Sequence, residues 1–152
     1  MNKLRFYLAS LFILGCVWCI QSQNHDEQVL KMLNEFYVAH INAWNKTKDP
    51  NLLIRKLDSL QQIYCSESLK VGLKKQFKIS GLDHDIFTND YSTDFESLKS
   101  LLITKNPTKS NCFIVTYNVN TFDPTGKSIK KKVVVNLNVV LENGGYKIQN
   151  VW

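Results

Sequence analysis

The sequence predicts an α+β domain in which N-terminal helices pack on a curved antiparallel sheet, and three observations carry that prediction. Between Val29 and Trp44 the apolar residues recur every three or four positions, the period of a helix with one buried face. From Cys112 onward the period drops to two, as in a strand with one face buried. Near the end, Asn143-Gly144-Gly145 is a strong hairpin signal that turns one strand back against the next. Helices first and strands afterwards indicate a segregated α+β arrangement, whereas alternating βα units would indicate a parallel sheet.

The first helix starts near Asn24, which with Glu27 has the spacing of a capping box. Its stripe is Val29, Leu33, Phe36, Tyr37, His40, Ile41 and Trp44. Asp49-Pro50 supplies a cap and a first-turn proline for a second helix carrying Leu53, Leu57, Leu60, Ile63 and Tyr64. Ser66 opens a third, with Leu69, Leu73 and Phe77 inward and Lys70, Lys74, Lys75 and Lys78 solvated. Leu98 to Thr104 reads as a first strand, ending at Asn106-Pro107. In the next, Phe113, Val115, Tyr117 and Val119 share a face. Asp123-Pro124-Thr125-Gly126 turns into a long strand whose Lys131, Val133, Val135, Leu137, Val139 and Leu141 share a face, and Tyr146 to Trp152 closes the sheet.

Ahead of the domain, Lys3 and Arg5 precede an uncharged run from Phe6 to Ile20, after which the chain turns polar. That is the layout of a secretory signal peptide, and the run is shorter than the roughly 20 residues a membrane-spanning helix needs. Residues 1–22 are therefore read as a leader and 23–152 as one domain. Two cuts compete. Cleavage after Ser22 is placed first and releases a soluble chain; Ile13-Leu14-Gly15-Cys16 resembles a bacterial lipobox and makes Cys16 a lipidation candidate. Either one sends the domain out of the cytoplasm, to the periplasm or cell envelope.

Without the leader, Lys3 and Arg5 are lost and the formal charge falls from +6 to +4, a modest excess. Cys65 and Cys112 are the cysteines that stay. They can pair in an oxidising compartment or remain two buried thiols, and the second reading is preferred because a core of this size needs no staple.

The helix VLKMLNEFYVAHINAW, the segment IYCSESLKVGL, the acidic GLDHDIFTND and the closing GGYKIQNVW together resemble a family of secreted bacterial proteins, domain of unknown function 3828. That family belongs to the nuclear transport factor 2-like, or cystatin-like, superfamily of cone-shaped folds. The resemblance covers nearly all of residues 23–152. It implies a curved sheet closed by helices over a cavity, and it implies no activity.

The chemistry legible in the residues is sparse. Asp83, Asp85, Asn89 and Asp90 could offer oxygens to a hard cation, but no glycine holds the central turn of a calcium loop and no glutamate closes it, so a solvated turn is expected and no metal or other cofactor. His40 lies on an apolar stripe, where it is either a hydrogen-bonded core residue or, beside a carboxylate such as Asp83 or Asp85, a general base. Glycine-rich phosphate loops, nucleophile elbows and zinc motifs are absent. The lysines at 127, 130, 131 and 132 lack the arginines and interleaved aromatics of nucleic-acid readers, and edge protection is the preferred reading. The expectation is an exported, non-enzymatic domain that binds a protein or a small apolar ligand, with Tyr37, His40, Trp44, Tyr117 and Trp152 as pocket candidates. A sharper variant is an immunity protein against a periplasmic toxin. The alternative is a dehydratase, isomerase or hydrolase using His40 with Asp83 or Asp85. A homodimer is compatible with either, and membrane contact is expected only through a lipid at Cys16.

Overall fold

The computed structural model of the chain describes residues 25–82, 85–89 and 93–152. Residues 1–22, read above as a leader, with Cys16 and the two expected cleavage sites, the expected cap Asn24, and Asp83, His84 and Asp90 lie outside the described residues. Among the described residues four helices precede four strands. Helix α1 covers 25–46, α2 Pro50–Tyr64, α3 Glu67–Ser80 and the short α4 Phe95–Lys99. Strands β1 (Leu102–Lys105), β2 (Cys112–Phe122), β3 (Ser128–Glu142) and β4 (Gly145–Val151) form one antiparallel sheet in the order β1-β2-β3-β4.

Local sequence sets the boundaries. The Asp49 carboxylate accepts from the N–H groups of Asn51 and Leu52, and Pro50 occupies the first turn, where its missing donor costs nothing. The Ser66 hydroxyl accepts from Leu69 N–H and starts α3 one residue after Cys65 ends α2. Asp94 and Ser97 exchange bonds in a capping box, so Leu98 belongs to a helical turn and the first strand begins only at Leu102. Asn143 and Gly144 both have positive φ and connect β3 to β4 by a two-residue hairpin, the conformation an Asn-Gly pair adopts at least cost.

The core joins α1 to the inner face of the sheet. Val29, Leu33, Phe36, Tyr37 and Ile41 pack with Phe113, Val115, Tyr117, Val119, Val133, Val135, Leu137, Val139 and Ile148 in a single buried cluster. Near its C-terminus α1 turns to a different partner: Ala43 forms a second cluster with Leu53 and Leu57 of α2, with Trp44 and Leu82 against it.

Two expectations require correction, and the preferred reading of the cysteines holds. Ile63 is exposed, because Tyr64 and Cys65 take the inward positions where α2 meets β4, and Cys65 bridges to Ile148. Lys70 is buried rather than solvated. Its stem is covered beside α2 while its ammonium reaches Gln62 at 2.9 Å and Glu67 at 2.5 Å. Cys65 and Cys112 are free thiols, both buried. Cys112 shares the outer sheet face with Asn138, its sulfur 3.8 Å from that amide, whereas Cys65 packs in the inner core, so no disulfide joins them.

Candidate functional site

The hollow that a cone-shaped fold encloses is filled here. Phe36 and Tyr37 insert from α1 among Phe113 and Tyr117, and all four are buried. Tyr117 donates its hydroxyl to the Thr88 carbonyl at 2.9 Å. Among the described residues Tyr37 has no partner for its hydroxyl, and burial, aided by the nearby Tyr117, Asp85 and Cys65, pushes its phenol well above the ordinary value. These two tyrosines are core residues, not pocket walls. Trp152 also leaves the candidate set: it is 55% exposed at the end of the sheet, where its backbone pairs with Asn136.

His40 and Trp44 stay in it, at a different place. A cleft of about 290 Å³ opens between the C-terminal turns of α1, helices α2 and α3, and the residues Gly81, Leu82 and Asp85 to Phe87. Ile54, Leu57, Leu73, Phe77, Leu82 and Ile86 supply apolar wall, and Asp58, Gln61, Lys74, Gln76 and Lys78 the polar part. Phe77, expected to face a core, is 43% exposed because its inward neighbour is this cleft. His40, Trp44 and Asp85 line the cleft together.

The 85–88 segment holds that group in place. Asp85 accepts the Phe87 N–H at 3.0 Å, and its carbonyl accepts from the Thr88 N–H and hydroxyl. This Asx turn drives Phe87 into the core, where its ring meets Phe36 at 4.8 Å and His40 at 5.4 Å. The turn was expected from the sequence, but its solvation was not met: Phe87 and Thr88 are both buried.

Asp85 then reaches His40, with Oδ2 2.7 Å from Nε2. Burial works to raise the Asp85 carboxyl, but the His40 charge and bond, the Phe87 N–H and the Thr88 hydroxyl outweigh it and hold the group below the usual carboxylate value. An ionised Asp85 at that distance places the proton on Nε2 of His40, which donates it. Trp44 Nε1 lies 3.3 Å from the same nitrogen. The indole N–H points at that nitrogen, but a nitrogen that donates its proton to Asp85 has no lone pair for a second donor, so the contact gives the indole no true acceptor.

Other chemistry does not assemble. Among the described residues no group of three His, Cys, Asp or Glu side chains converges as a metal site would require. Asn89 is exposed with φ 51°. Cys65 is buried, which pushes its thiol up to about 12 against the pull of Lys70 and Lys147, so it is a poor nucleophile.

Sequence reasoning placed His40 and Asp85 as candidates but missed the cleft, whose walls come from α2, α3 and Ile86. The signal available was Ile86-Phe87, two large apolar residues inside an acidic loop, which a merely solvated turn has no reason to carry.

No family model and no curated protein matches the chain. Among solved structures, the crystal structure of a protein of unknown function from Bacteroides thetaiotaomicron superposes with a TM-score of 0.71 over 88% of this chain and 95% of that one, at 18% identity. That likeness establishes the fold, an α+β arrangement of helices on a four-stranded antiparallel sheet consistent with a nuclear transport factor 2-like cone.

Proposed function

We propose that this chain is an exported, non-enzymatic binding domain whose helix-lined cleft takes a small, largely apolar molecule carrying one hydrogen-bond acceptor. The observation that carries the reading is the cleft itself, an open, mainly apolar space with the Trp44 indole in its wall, whose N–H points at a His40 nitrogen that already carries a proton and would gain a true acceptor from a ligand. Binding sites of this kind combine apolar walls with a few oriented polar groups, and a volume of about 290 Å³ suits a small ligand. Leu57 and Leu73 would supply contact area, and Trp44 would select an oxygen over a methyl group. Losing that one bond corresponds to roughly a fivefold loss of affinity.

The test is displacement of anilinonaphthalene sulfonate fluorescence by 1-octanol and by octane. The wild type should take up the dye and prefer the alcohol. Leu57→Phe, which fills the cleft, should abolish uptake, and Trp44→Phe should remove the preference for the alcohol. Dye uptake unchanged in Leu57→Phe would refute the site.

A second reading is favoured by one distance, the 2.7 Å between His40 and Asp85. It makes His40 a general base oriented by Asp85, in a dehydratase or isomerase. The described lining contains no serine, threonine or cysteine, so a hydrolase with a hydroxyl or thiol nucleophile finds none there. Since Asp85 occupies Nε2, the base would be Nδ1, on a ring that already packs against Phe36 and Phe87. A dye-binding His40→Ala variant that loses turnover of a cleft ligand would favour catalysis over binding alone.

A further inference from the structure

Strands β2 and β3 run well past the rest of the sheet. Pairing of β1 with β2 ends at Thr116, and on the other side the last partner of β3 is Trp152, whose backbone meets Asn136. Five further pairs continue from Asn118 opposite Lys132 to Phe122 opposite Ser128, a two-stranded arm about 14 Å long before its turn. Helix α4 flanks its base, with the Ser100 hydroxyl accepting the Asn118 N–H and Asp94 near Asn120.

The outer end of this arm has an unusual composition. Phe122, in the last pair, is 72% exposed, and Ile129 in the pair before it is also exposed. Strand alternation puts Lys130 and Lys132 on the same face as Phe122, since they oppose Asn120 and Asn118, and Lys127 stands in the turn. All three lysines are exposed. The one acid of the turn, Asp123, is engaged by the Thr125 and Lys127 N–H groups and the Thr125 hydroxyl. A single exposed phenylalanine is ordinary, and a lysine run alone guards an edge. An aromatic tip collared by lysines on its own face is the arrangement that enters the boundary of an anionic bilayer, ring toward the acyl chains and ammonium groups at the phosphates.

We infer that the β2–β3 arm is a docking device for an anionic lipid surface, with Phe122 as the inserted residue and Lys127, Lys130 and Lys132 as the electrostatic collar. Charge complementarity argues for the acidic surface, and the shape argues for lipid. The arm is a projection two strands wide with one aromatic and no arginine, whereas a nucleic-acid strand is held in a groove by successive stacking rings. This surface lies apart from the helix-lined cleft, and its test is independent of the ligand.

The experiment is flotation of the full chain, leader retained, with phosphatidylcholine vesicles with and without phosphatidylglycerol, at low and high salt. The leader is common to every variant, so differences between variants report the arm. Binding should require phosphatidylglycerol and fall with salt. Lys130→Gln with Lys132→Gln should weaken it about fivefold per lysine. Phe122→Ser should weaken it about tenfold with every charge kept. All these positions are exposed, and an unchanged circular dichroism spectrum confirms each variant as folded. Equal flotation of wild type and variants would overturn the proposal, because the leader would then account for binding. It would also be overturned if Phe122→Ser were silent while soluble polyglutamate or DNA competed as well as the vesicles, since the lysines would then serve an acidic macromolecule.

Discussion

Removing the Asp85 carboxylate should destabilise the fold by about 3 kcal/mol at neutral pH, at the low end of the cost of breaking a buried charged pair from one side. Asp85→Ala takes away the 2.7 Å partner of His40 and the acceptor of the Phe87 N–H, and leaves both behind in a largely buried setting. The Asp85 side chain is 12% exposed beside the cleft, so water can reach part of the vacated space and the upper end of the range does not apply. Asp85→Asn, which keeps an oxygen for Phe87, should cost less. Urea unfolding of wild type, Asp85→Ala, His40→Ala and the double variant forms a cycle, in which direct contact should appear as a coupling of about 1.5 kcal/mol or more. The pH dependence has a fixed sign. Because the folded carboxyl lies below its ordinary value, its stabilisation is complete above the unfolded value of about 4 and is lost as pH falls through the lower folded one. The gap between wild type and Asp85→Ala should therefore be constant near neutrality and close in acid. A loss below about 1 kcal/mol, or a coupling indistinguishable from zero, would refute the view of this pair as the tie between α1 and the 85–88 turn.

Tyr117→Phe should cost about 1 to 2 kcal/mol in the same assay, since the Thr88 carbonyl loses the Tyr117 hydroxyl as a donor in a buried position. Ser66→Ala removes the cap that accepts from Leu69 N–H, and should lower stability by about 1 kcal/mol. Cys65, with its thiol pushed up to about 12 by burial, should resist iodoacetamide at pH 8 in the folded chain and react once urea unfolds it, as peptide mass mapping would show. Rapid native alkylation of Cys65 would contradict its place in the core.

Most of the fold was legible because its signals are local. The 3.6-residue stripe from Val29 to Ile41, the Asp49-Pro50 and Ser66 caps, the alternation from Cys112 and the Asn143-Gly144 hairpin each state their structure within a few residues. Errors came where an element depends on what lies beside it. Leu98 looked like strand until the Asp94–Ser97 capping box claimed it, and Lys70 looked solvated until α2 covered its stem. The site was half legible for the same reason. Residue type and periodicity singled out His40 and Trp44, but Asp85 is 45 positions away from His40, and no spacing rule joins them. The cavity was assigned to the cone because the fold class encloses one, whereas the size of Phe36, Tyr37, Phe113 and Tyr117 fills it.

The position of the cleft follows from how α1 divides its stripe. Up to Ile41 that stripe is consumed by the inner face of the sheet. Ala43 and Trp44 extend past it, and the smaller cluster with Leu53, Leu57 and Leu82 covers them only in part. His40 stands at the junction. Its ring belongs to the aromatic core through Phe36 and Phe87, while its outer nitrogen and Asp85 form a wall of the cleft. The tie that closes the core thus also shapes the site, and the two properties should separate under mutation. Asp85→Ala should reduce stability and ligand affinity together, because the part of the wall formed by residues 85–87 loses its anchor. Leu57→Phe adds bulk toward open space and should reduce affinity with a smaller effect on stability. If Asp85→Ala lowered stability while leaving dye affinity intact, the cleft wall would be held by its apolar residues, and the pair would serve the core alone.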